Sequence, residues 1–244
     1  MMKASVSPVA TLIALAVAVS AVAQDALVLK DGQRREGQIL GVRSDAVRLK
    51  VGPAETGIPL ASVASVTMNP PKGYQDALNA WAKQNAPATI TAIKPIVDNF
   101  TGLPTTWAAR SSALLGEAYL ATDKLAEAET AFAAFQKAYP DAAEMAQVGL
   151  ARLAISKKDF STAREKLAPI VEVARSTKLA ESGQNATFGQ ALYLMAQVQE
   201  ASGQKPEALE NYLLAAALFR EDAAAASGAA EKAKALEAAQ IRVP

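Results

Sequence analysis

The sequence predicts a mainly α chain: a solenoid of antiparallel helix pairs preceded by a small all-β unit of barrel-like form. Three observations carry that expectation. Residues 112–140, SALLGEAYLATDKLAEAETAFAAFQKAYP, read as two amphipathic helices joined by a turn at Ala121–Lys124. Leu115, Gly116 and Tyr119 share one face of the first helix, Ala128, Phe132 and Phe135 share one face of the second, and Pro140 ends it. The pattern then returns twice. Leu150-Ala151, Ala163 and Leu167 repeat it 35 residues on, and Met195-Ala196, Ala208 and Tyr212 a further 45. Upstream, over Ala26–Met68, the hydrophobic period changes from helical to two.

Taken in order, residues 1–23 read as a signal peptide. Lys3 supplies a positive start, Val9–Val22 an apolar run, and Ala21-Val22-Ala23 a cleavage site before Gln24. No cysteine follows for a lipid anchor, and no later run reaches the ~18 apolar residues that span a bilayer. Residues 24–69 are expected to form the β unit. Ala26–Lys30 alternates, Asp31-Gly32 turns, and Arg34–Val42 is a second strand with Gly37 and Gly41 as bends or bulges. Arg43-Ser44-Asp45 turns the chain into Ala46–Val51. Gly52–Gly57 reads as a loop, Ile58-Pro59-Leu60 as an edge strand, and Val63–Met68 closes the unit.

Residues 70–73, rich in proline and glycine, read as a linker to a helical region over 74–240. A first pair over 74–104 departs from the repeat, with bulky Ile93 at the position of the small alanine. Repeats are expected at about 109–142, 144–177 and 189–221, with Ser176–Gln184 as an insertion. Asp159 is placed to cap a helix. Alanine-rich 222–240, with Glu231, Lys232, Lys234 and Glu237 outward, suits a closing helix with a polar outer face.

The helical segment resembles a tetratricopeptide repeat. On that resemblance Gly116 lets the two helices approach, Ala128 is the small residue facing it, and Tyr119 and Phe132 fill the seam. Ser112 departs from the pattern, since the family prefers Trp there. The stretch LxLKDGxxxxGxI…VxLxV…IPLxxVxxV resembles Sm-like barrels, without their RNA-contacting motifs. Together these resemblances imply an exported scaffold that works by binding proteins of the bacterial cell envelope. They place the contact surface on the first helices of each pair, at Arg110, Glu117, Met145, Val148, Arg152, Ile155, Tyr193, Gln197 and Glu200.

Composition narrows the chemistry. The 25 Lys and Arg residues nearly cancel the 24 Asp and Glu, so no bulk basic field draws nucleic acid. His and Cys are absent, which excludes thiolate nucleophiles, disulfides, imidazole bases and the common zinc and haem sites. No nucleotide loop or nucleophile elbow is present, so neither catalysis nor a cofactor is expected. The expected place is extracytoplasmic, periplasmic or secreted, with protein partners and no membrane span after signal cleavage. A second reading is a module for peptidoglycan or another envelope polymer, using the β unit. Residues 26–68 contain no Phe, Tyr or Trp, which counts against it.

Overall fold

The computed structural model describes residues 25–176 and 185–243. Short strands come first: β1 (Ala26–Leu29), β2 (Arg34–Glu36), β3 (Gln38–Arg43), β4 (Ala46–Val51), β5 (Ala54–Pro59) and β6 (Val63–Thr67). The helices are α1 (Lys72–Ala82), α2 (Ala86–Phe100), α3 (Thr106–Leu120), α4 (Leu125–Ala138), α5 (Ala143–Ser156), α6 (Phe160–Ser176), α7 (Asn185–Ala201), α8 (Lys205–Leu218) and α9 (Ala223–Ala238). They pack as stacked pairs, in keeping with a helical-repeat solenoid. The expected signal peptide and most of the expected insertion lie outside the described residues.

The strands do not close into the expected barrel. They form two three-stranded antiparallel sheets, ordered β2-β1-β6 and β3-β4-β5. The strand foreseen over Arg34–Val42 breaks at Gly37, where the chain leaves one sheet for the other. A Cβ at that point would lie 2.5 Å from the Lys50 carbonyl oxygen, closer than any side chain permits. A 3-10 turn at Leu60–Ser62 separates β5 of the second sheet from β6 of the first. The helix α2 packs on β3: a Cβ on Gly41 would sit 2.6 Å from the Asn99 carbonyl oxygen. Gly41 also marks a bulge in the β3–β4 register, as its position in the sequence suggested. Ser44 and Asp45, both at positive φ, make the β3–β4 turn. The expected loop Gly52–Gly57 is shorter than foreseen. Residues from Ala54 onward already pair with β4, and exposed polar side chains hid that strand from a hydrophobic period.

Sheets and helices share an interior. Leu27, Ile39, Val47, Leu49, Ile58 and Val63 join one buried cluster with Ala77, Ile93, Ile96, Leu103 and Trp107. The Trp107 indole N–H donates to the Met68 carbonyl at 3.3 Å, and Phe100 meets its ring edge-on at 5.3 Å. Farther along, the backbone N–H of Gly102 donates to the buried Tyr139 hydroxyl at 2.9 Å.

One turn recurs in four helix pairs. Gln84, Asp123, Lys158 and Gly203 all take positive φ. The next residue, Asn85, Lys124, Asp159 or Gln204, donates its N–H five residues back, to Ala80, Tyr119, Ala154 or Gln199, at 2.8–2.9 Å. This is the left-handed closure that satisfies carbonyls at a helix end. Counting from it brings all four pairs into register. Ala77, Gly116, Ala151 and Ala196 stand eight residues before the closing residue, and Thr89, Ala128, Ala163 and Ala208 four after it, all of them buried. The first pair is therefore less irregular than its sequence suggested. Thr89, not Ile93, occupies the small position, and its hydroxyl donates to the Asn85 carbonyl at 2.9 Å. Ile93 stands with Phe132, Leu167 and Tyr212 one turn later.

The close approach at Gly116 is present, but its neighbour is the ring of Phe132 rather than Ala128. A Cβ on Gly116 would lie 2.5 Å from that ring, and one on Gly149 of α5 would lie closer still. Phe132 from α4 is thus seated between two glycines of different helices. Replacing either glycine by alanine is expected to cost ~1–3 kcal/mol through overpacking. Glu127→Gln, on the exposed side of α4, should stay within about 0.5 kcal/mol. Urea unfolding of the three variants checks the contrast.

Asp159 caps α6 as its sequence position predicted. Hydrogen bonding from Thr162, with Ser161 adding to it, holds the carboxyl at about 2, below its ordinary 3.8. A depressed folded value means that this stabilisation is present above the ordinary value and is lost as pH falls toward 2. The melting temperatures of wild type and Asp159→Asn are therefore expected to differ at pH 7 and to converge between pH 4 and 2.

Candidate functional site

The predicted contact residues meet different fates. Arg152 of α5 forms an ion pair with Glu117 of α3, their side chains 31% and 20% exposed, so the two charges are spent on each other. Val148 is 1% exposed and belongs to the core, and Ile155 packs against the same cluster. Tyr193 lies 5.9 Å from the ring of Tyr212 and closes on α9, where a Cβ on Gly228 would be 2.9 Å from its hydroxyl. Glu200 accepts the Tyr212 hydroxyl at 2.8 Å and lies 3.4 Å from the Lys232 ammonium. Burial, reinforced by that carboxylate, pushes the Tyr212 hydroxyl far above its ordinary value. Arg110 and Met145 are exposed and Gln197 is half-buried. The structure thus joins Glu117 with Arg152, Tyr193 with Glu200 by way of Tyr212, and Val148 with Ile155 in one cluster, and gives Arg110, Met145 and Gln197 no side-chain hydrogen bond or ion pair among the described residues.

A second feature escaped the sequence. A cleft of about 330 Å³ lies between α6, α7 and α8, lined by Arg164, Ala168, Val171, Glu172 and Arg175, by Met195 and Gln199, and by Gln204 and Asn211. A hollow of about 520 Å³ adjoins it, sharing Arg164 and Ala168 and adding Phe160, Ser161, Glu165 and Ser202. The polar walls are cross-linked by hydrogen bonds. Arg175 donates to Glu210 and to the Asn211 side-chain oxygen, both at 2.8 Å. Asn211, 1% exposed, donates its amide to Gln199 at 2.7 Å. Arg164 donates to the Gln204 side-chain oxygen at 2.6 Å.

These residues spread over three helices at no motif spacing, which is why sequence reading passed over them. One signal was available. Asn211 directly precedes Tyr212 on the buried stripe, and a polar side chain held in a core must find partners there.

Among the described residues no group of acidic side chains could hold a metal ion, and no helix is long and apolar enough to cross a membrane. The chain matches no family model, no curated protein and no solved structure. The resemblances to tetratricopeptide repeats and Sm-like barrels therefore do not stand as identities. The second is overturned also by the open pair of sheets. What stands is the helical-repeat architecture itself.

The Glu117–Arg152 pair changes what a mutation there reports. Arg152→Glu would set two carboxylates against each other and lower stability, whatever it does to binding. A Glu117→Gln, Arg152→Gln double-mutant cycle on thermal unfolding should return a coupling of about 1 kcal/mol or less, as for a pair partly open to water. A coupling of unfavourable sign would show that the two charges do not attract each other in solution.

Proposed function

We propose that the chain is a non-enzymatic adaptor of the bacterial cell envelope, acting by protein–protein contacts made along the first helices of its pairs. The observation that carries this reading is the recurrence of one turn in four stacked pairs. Such stacking sets equivalent surface positions side by side at a regular step, a geometry suited to gripping an extended partner. Arg110 of α3, Met145 of α5 and Gln197 of α7 are the predicted contact residues whose side chains are not spent on internal bonds. Placement in the envelope rests on the N-terminal sequence, with its apolar run and Ala21-Val22-Ala23. The polymer-binding reading finds no support in the sheets, which carry no aromatic side chain for a sugar ring to stack on.

A photo-crosslinking residue at Met145, expressed in the native cell, should form an adduct with a discrete envelope protein. Arg110→Glu should reduce that adduct about tenfold by removing a complementary charge at the contact. Equal labelling from Thr130, on the exposed side of α4, would mean that the first helices are not the working surface.

A further inference from the structure

The cleft between α6, α7 and α8 has an unusual balance of hydrogen-bonding groups. Its amide oxygens are already used: Gln204 accepts from Arg164, Gln199 from Asn211, and Asn211 from Arg175. What remains is donors. The side-chain NH₂ groups of Gln199 and Gln204 and the rest of the Arg164 guanidinium have no acceptor among the described residues. Arg152 and Arg175 are each paired with a carboxylate, whereas Arg164 is held only by a neutral amide. The acids on the walls, Glu165 and Glu172, are exposed and neither bonds Arg164. A guanidinium flanked by amide donors calls for an anionic acceptor, and a carboxylate matches its fork.

We propose that this cleft binds a peptide carboxylate of a partner protein, with Arg164 pairing with the charge and Gln199 and Gln204 donating to it or to the adjoining peptide carbonyl. The adjoining hollow, walled by Phe160 and Ala168, would take a neighbouring apolar side chain, which favours a peptide over a free acid. Cleft and hollow have the size of small-ligand sites. The site shares α7 with the predicted contact residues but is lined there by Met195 and Gln199 rather than by Gln197.

The test uses the full chain and three probes: N-acetyl-Phe-Leu with a free carboxylate, the same dipeptide as its amide, and N-acetyl-Phe-Asp-Leu amide. Backbone amide shifts of Ala168, Gln199 and Gln204 should move saturably with at least one carboxylate peptide and not with the amidated dipeptide. Which one binds separates a chain terminus from an acidic side chain. Gln204→Glu should weaken binding about tenfold or more, because an internal carboxylate then occupies Arg164 and repels the incoming one. Arg164→Gln should do the same through loss of the charge. Absence of saturable shifts, equal response to the amidated dipeptide, equal affinity for acetate, or undiminished binding by Gln204→Glu would each overturn the proposal.

Discussion

A phenyl ring laid between two backbones sets the spacing at the middle of this molecule. Phe132 reaches from α4 onto Gly116 of α3 and Gly149 of α5, and neither surface has room for one more carbon. Burying such a ring contributes roughly 1.5–3 kcal/mol, but only where the helices can close around it. The glycines lower the intrinsic stability of their own helices by up to about 1 kcal/mol each. That cost is recovered through contact between helices. One side chain thus fixes both the separation within a pair and the step to the next pair.

The step is repeated because the turn is repeated. Each pair reverses through one left-handed residue followed by a closing N–H bond, and the buried small residues sit at constant distances from that point. Three of the four left-handed positions hold Gln84, Asp123 and Lys158, and only one holds glycine, Gly203. The conformation is imposed by the packing of the helices on either side rather than chosen by the residue itself.

Where periodicity and small residues mark an element, the sequence was legible. The three later pairs, the turn of Ser44 and Asp45, the bulge at Gly41 and the Asp159 cap could all be read from it. The division of the strands into two open sheets could not, because a sequence shows strands but not which edges meet. Gly37 reads as a bend, yet only the crowding against Lys50 makes it a crossing between sheets. Ile93 misled because apolar bulk was weighed without the turn that sets the register, which puts Thr89 at the small position instead. The pairing of side chains between helices was the least legible part. Arg152, Tyr193 and Glu200 looked like outward groups, and only coordinates reveal that Glu117, Gly228 and Tyr212 absorb them. Conversely, the donor-rich cleft is assembled from residues that no local pattern connects.

The order of strands in the first sheet bears on assembly as well as on form. In β2-β1-β6 the earliest strand lies between its hairpin neighbour and the last strand of the unit, so Ala26 is paired with Thr67. Each helix pair, by contrast, closes through contacts between sequence neighbours. Ring closure over a long loop is slower than local zipping. On a nascent chain β1 can therefore pair with its neighbour β2 at once, while its other edge stays open until Val63–Thr67 has followed it. The interval between those two pairings sets how long an unpaired strand edge lies open to other chains.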